Sequence, residues 1–86
     1  MEIYHDIKNL RVWTEKEGYT AYVEYELIDG TLDIMHTYVP APLEGMGIAS
    51  QLVECAYDYA LKEGLKPAAT CTYAIAWLKR HPEYLK

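Results

Sequence analysis

Cys71 and Tyr73 stand two positions apart near the carboxyl end, and His36 lies in an alternating stretch far upstream. A thiol can attack a carbonyl carbon or simply line a channel, a phenol can donate a proton, and an imidazole can accept one. The main chain offers a different chemistry. Residues 42–49 read PLEGMGIA, with Gly45 and Gly47 flanking Met46 just ahead of small and branched residues. Where such a turn opens a helix, the first amides have no intrahelical acceptor and the helix end carries partial positive charge, so anionic oxygens can be received there. The amides of Gly45, Met46, Gly47, Ile48 and Ala49 are the ones this turn would leave open. It is not a Walker loop, which requires Gly-Lys-Ser/Thr, nor a full Gly-x-Gly-x-x-Gly turn, because position 50 is Ser. The competing interpretation is a plain turn that breaks a proline loop into a helix.

Which elements would position these groups follows from periodicity. Residues 10–13 form a short β-type run and residues 15–18 a polar turn. Over residues 19–27, Ala21, Val23, Tyr25 and Leu27 alternate with Thr20, Tyr22, Glu24 and Glu26, the period-two pattern of a strand. Asp29-Gly30 supplies a hairpin turn. The return strand is expected over residues 31–39, with Leu32, Ile34, His36 and Tyr38 on one face and Asp33, Met35, Thr37 and Val39 on the other. Pro40 and Pro42 end it, since proline cannot donate to a ladder.

After the glycines the period becomes helical. Ile48, Ala49, Leu52, Val53, Ala56, Tyr57, Ala60 and Leu61 share one face, and Gly64 is a natural stop. Residues 66–71 are expected as a short strand, and residues 73–80 as a second helix with Ile75, Trp77 and Leu78 inward and Pro82 forcing an end. The expected architecture is a single α+β (α/β) domain over residues 1–86. In it an antiparallel three-stranded meander is followed by helix, strand and helix, and the last strand joins its neighbour in parallel through a right-handed crossover.

Composition narrows the function classes. The chain has 86 residues, 51% of them hydrophobic, with nine Tyr and two Trp to fill a small core. A net charge of −5 disfavours nucleic acid and anionic membrane surfaces as broad partners. Cys55 and Cys71 form no Cys-x-x-Cys pair and have no histidines at zinc-finger spacing, so neither a disulfide framework nor a structural metal is expected. With no basic segment leading into an apolar run, a cytoplasmic protein is the expectation.

Taken in order, His36-Thr-Tyr-Val-Pro40, Leu43-Glu-Gly-Met-Gly-Ile-Ala49, Glu63-Gly-Leu-Lys66, Thr70-Cys-Thr-Tyr73 and Trp77-Leu-Lys-Arg-His-Pro-Glu-Tyr84 resemble one family. It is the small, single-domain branch of the GNAT superfamily, the acetyl-CoA-dependent N-acetyltransferases. The resemblance runs from about Tyr19 to Tyr84 and rests on several separated motifs that agree in order and spacing. It implies a GNAT-like fold whose parallel strand pair is splayed at the acyl-CoA site. It implies that Thr37, Tyr38 and Val39 present backbone groups to the pantetheine arm, and that Gly45, Met46, Gly47, Ile48 and Ala49 hold the pyrophosphate through their amides. Acetyl-CoA would be the cosubstrate, with no metal, and a primary amine the acceptor.

The acetyl thioester would then lie close to Cys71 and Tyr73. Tyr73 is the candidate proton donor to the departing thiolate, Cys71 a candidate nucleophile or channel-lining thiol, and His36 a candidate general base if it faces the cleft. Two positions depart from the family pattern. Pro42 stands where Arg or Gln is usual, and Glu44 precedes Gly45 where Arg is common. A carboxylate beside a diphosphate is repulsive, so binding should depend on amides more than on side-chain charge. With no room for the N-terminal helices of larger members, the acceptor surface should be open to small or protein amines. The acidic balance, including Glu24 and Glu26, suits a cationic acceptor. A non-catalytic CoA-binding module of the same fold is the alternative, and an interaction domain whose glycine turn binds nothing is a third reading.

Overall fold

The computed structural model describes all residues, 1–86, and shows a five-stranded sheet in the order β1-β2-β3-β4-β5. The strands are β1 (Tyr4–Asp6), β2 (Arg11–Lys16), β3 (Tyr19–Ile28), β4 (Thr31–Tyr38) and β5 (Lys66–Ala69), and the helices are α1 (Ile48–Lys62) and α2 (Thr72–Arg80). Single 3₁₀ turns at Ala41–Leu43 and Pro82–Leu85 complete the chain. β1 to β4 are antiparallel neighbours, and β5 pairs parallel to β4 after the α1 crossover; the β2-β3-β4 meander and the parallel pair are as the periodicity predicts.

The β3–β4 hairpin closes through Asp29 and Gly30, both at positive φ (49° and 77°), the conformation that matches strand twist in a two-residue loop. Glu17 and Gly18, at φ 53° and 81°, make the same kind of turn, which carries β2 to Lys16, beyond the predicted end. The strand Tyr4–Asp6 was not expected from the pattern. It spans three residues with no fully buried side chain, too short for an alternation to register.

One irregularity in β4 governs the site. Glu24 pairs with His36 whereas Tyr25 pairs with Ile34, so Met35 has no partner and forms a bulge. An extra residue shifts the side-chain alternation by one and sends every later side chain to the other face. Thr37 therefore joins Leu32 and Ile34 on the helix side, opposite buried Val23. His36 and Tyr38 fall on the far side, where both rings lie against Tyr22. This corrects the expected face, which put His36 and Tyr38 with Leu32 and Ile34.

Both helices cover the same side of the sheet. α1 buries Ile48, Leu52, Val53, Ala56, Tyr57 and Ala60 against β2 through β5, while Leu61, expected inward, is exposed. Its end is closed by Gly64 at φ 73°, with Leu65 N–H donating to Ala60 O at 2.8 Å and Gly64 N–H to Leu61 O at 3.2 Å. The buried Tyr57 hydroxyl donates to Ala68 O at 2.6 Å and ties β5 to the helix. α2 buries Ala74, Trp77 and Leu78, leaving Ile75 exposed rather than inward. Trp77 Nε1–H donates to Ser50 Oγ at 2.9 Å, which fixes α2 to the first turn of α1.

β5 is shorter than expected. It ends at Ala69, and the amides of Thr70 and Cys71 both donate to Ile34 O, at 3.0 and 3.1 Å, as the chain turns into α2. β4 runs on to Tyr38 with no strand beside it on that edge. The gap between the parallel strands opens there.

Candidate active site

The glycine turn sits beside that gap. Gly45 and Gly47 have φ of 80° and 73°, the left-handed region that side chains rarely adopt, and a Cβ at either position would meet nothing within 4 Å. Glycine is thus required by conformation and not by crowding. Gly47 caps α1, and no side chain bonds the helix's first amides. The first backbone bond of the helix is Gln51 N–H to Gly47 O, so the consecutive amides of residues 45–50 donate to no backbone acceptor. Open amides at the positive end of a 15-residue helix are suited to an anion.

These residues line a cleft of about 210 Å³ formed by Val39, Leu43, Glu44, Gly45, Gly47, Ile48, Ala49, Ser50 and Tyr73. Val39 comes from the end of β4, Tyr73 from the first turn of α2, and the rest from the turn and α1. Its floor is apolar, from Val39, Leu43 and Ile48, and its rim is polar. Glu44 lies on the rim, exposed, and is the negative charge closest in sequence to the open amides.

Cys71 stands at the N-cap of α2 with extended φ and ψ of −64° and 129°. Its Sγ–H donates to Thr37 Oγ1 at 3.4 Å. Burial, the largest single influence, pushes the thiol up. The Thr37 hydroxyl and the nearby amides of Ala74, Tyr73 and Thr37, all able to favour a thiolate, together outweigh it and hold Cys71 below the usual thiol value. Cys55, on α1, behaves oppositely, because burial and then Asp58 and Glu54 push it up.

The predicted site residues thus divide. Val39, Gly45, Gly47, Ile48, Ala49 and Tyr73 line one cleft, and Cys71 reaches Thr37 at the β4 edge. The Met46 side chain is 46% exposed and lies outside the cleft, leaving only its amide in the open set. Tyr38 contributes backbone at the end of β4, while its ring points to the far face. His36 is separated from the cleft by the sheet itself, so it is not placed to act as base there. Ser50 was seen in the sequence only as the residue that breaks a glycine motif. It lines the cleft and accepts from Trp77, a role whose only signal is its position in the first turn of the helix.

Residues 9–86 match the model of a family described as GCN5-related N-acetyl-transferase. Protein NATD1 of Xenopus tropicalis is 33% identical over 91 residues, covering 100% of this chain and 84% of that protein. Protein NATD1 of Mus musculus is 36% identical over 69 residues, covering 77% of this chain and 63% of its own length. Among solved structures, a GCN5-like protein of Staphylococcus aureus determined by NMR has the same fold, with a TM-score of 0.75 at 24% identity over 96% of this chain and 82% of that one.

Proposed function

The chain belongs to the GCN5-related N-acetyltransferase family, and from that premise we propose that it transfers the acetyl group of acetyl-CoA to a primary amine. The observation that carries this reading is the run of open amides at residues 45–50, facing a cleft that ends at the gap between β4 and β5. A diphosphate fits this set of donors, since main-chain N–H groups at a helix start bind phosphate oxygens without a lysine. The apolar Val39, Leu43 and Ile48 suit the less polar arm that follows it. The free edge of β4 at Thr37 and Tyr38, with Val39 just beyond it, offers backbone groups along the same path.

The reacting carbonyl would lie near Tyr73 and Cys71, at the end of this path. The amine nitrogen bonds to the acetyl carbon and the C–S bond breaks. Tyr73 supplies a proton to the departing thiolate, and the amine loses its own proton to solvent, which restores the phenol. A second route is favoured by the lowered thiol of Cys71, which would accept the acetyl group as a thioester before passing it to the amine. Mass spectrometry of protein mixed with acetyl-CoA alone separates them, because only the second route leaves a Cys71 peptide heavier by one acetyl group.

Calorimetric titration with CoA, followed by a thiol-release assay against a panel of amines, tests the function. Binding with amine-dependent thiol release is expected. Binding without release from any amine would leave a CoA-binding module, and absence of binding would overturn the reading.

A further inference from the structure

The side of the sheet turned away from both helices carries an arrangement that the cleft does not use. Register places Tyr4 opposite Trp13, Trp13 opposite Tyr22, and Tyr22 opposite Tyr38. One row of aromatic side chains therefore crosses the sheet from β1 to β4, a length of roughly 14 Å at the usual strand spacing. Tyr4 and Trp13 stack with centroids 4.7 Å apart, and Tyr22 and Tyr38 lie 5.5 Å apart. The outer members, Tyr4 and Tyr38, are 44% and 46% exposed. The Met35 bulge is what brings Tyr38 into the row, and the residue before it is Thr37, the partner of Cys71. The row thus ends at the gap beside the cleft.

Its charge setting is acidic. Glu15, Glu24 and Glu26 flank the rings on β2 and β3 and are exposed. The cation among them, Arg11, lies over the Tyr22 ring at 4.2 Å, and its Nε is buried with no hydrogen-bond partner. The row already holds one guanidinium by ring contact, without a carboxylate on that nitrogen. None of the cavities in the molecule is lined by Tyr4, Trp13, Tyr22 or Tyr38, so the surface is flat. A flat row cannot enclose a small amine, whereas an extended chain can make repeated shallow contacts along it.

We propose that this aromatic row is the docking surface for an extended, basic polypeptide segment. Its lysine or arginine side chains lie over the rings and near Glu24 and Glu26, and a lysine at the Tyr38 end reaches the gap. Docking stands on the row and its charges alone. Only the delivery of that lysine as acceptor rests on the acetyl-transfer reading.

The test titrates the isotope-labelled full chain with a capped peptide of alternating lysine and glycine, and separately with CoA, following amide and indole resonances. Shifts at Tyr4, Trp13, Tyr22 and Tyr38 that weaken with salt are expected. Trp13→Ala should raise the peptide Kd about tenfold. The surface pair Glu24→Gln/Glu26→Gln, which leaves the rings and core in place, should raise it about threefold and flatten the salt dependence. Peptide shifts without CoA shifts at residues 45–50 would uphold docking and remove the acetyl-transfer reading. CoA shifts without peptide shifts would do the reverse. Equal shifts and affinity from spermidine, or shifts at the row that grow with protein concentration alone, would overturn the proposal in favour of a small amine or a second copy of the chain.

Discussion

Both helices begin beside the same cleft, and they begin differently. α1 starts from Gly47 in the left-handed region, with its first amides open. α2 starts from Cys71 in extended conformation; its side chain makes no cap hydrogen bond, but the nearby Tyr73 and Ala74 amides help hold the thiol below its usual value. An uncapped helix start can receive an anion only from outside the chain. A start with a thiol beside its first amides favours an anion of its own, the thiolate, which lies against Thr37 at the β4 edge. Under the proposed function, the first helix serves binding and the second serves chemistry.

Substitutions that strike one helix start and spare the other can break this division. The largest effect is expected from Tyr73→Phe, which keeps the ring in the cleft and removes the proton donor. Turnover should fall at least about 100-fold while the calorimetric Kd for CoA stays the same. A changed Kd with unchanged turnover would make Tyr73 a wall residue and nothing more.

Next comes Gly47→Val. The added side chain meets no atom, so its effect is backbone strain of about 1–3 kcal/mol at a position whose φ is 73°. Relief of that strain rotates the open amides away, and the CoA Kd should rise about tenfold or more. Gly18→Val imposes the same kind of strain, at φ 81°, in a turn that is not part of the cleft. It should lower the melting temperature and leave CoA affinity alone, which separates loss of the site from loss of the fold.

The cysteines supply a pH test. Cys71 is held below the usual thiol value and Cys55 above it. A lowered thiol ionises at lower pH, so alkylation by iodoacetamide should reach half its limiting rate below the free-cysteine pH at Cys71 and above it at Cys55. Peptide mapping after timed alkylation at a series of pH values reads both. Coincident profiles would remove the argument that the α2 amides act on the thiol. The smallest effect is expected from Glu44→Gln, which removes a negative charge from the rim. CoA should bind about threefold more tightly at low salt, with the gain fading as salt rises.

Much of this division was legible in the residues. The alternation of Ala21, Val23 and Tyr25, the Asp29-Gly30 turn and the apolar stripe of α1 each state their element, because burial of one face imposes a period. The glycine turn announced itself by placement between a proline-ended strand and that stripe. What could not be read was the bulge at Met35. An unpaired residue has no characteristic side chain, yet it exchanges the faces of His36 and Thr37. The candidate base was thereby lost from the cleft and the threonine that meets Cys71 was gained. Cys71 itself was expected at the end of a strand. Its place at a helix cap depends on β5 stopping at Ala69, where both following amides turn to the single carbonyl of Ile34.

Whether the open amides of the first helix hold the diphosphate of CoA is tested most directly by a backbone amide shift map of the protein titrated with CoA. Large shifts at Gly45, Gly47, Ile48 and Ala49, with smaller ones at Val39 and Tyr73, are the predicted result. Saturating CoA that leaves Gly45 and Gly47 unmoved would contradict it.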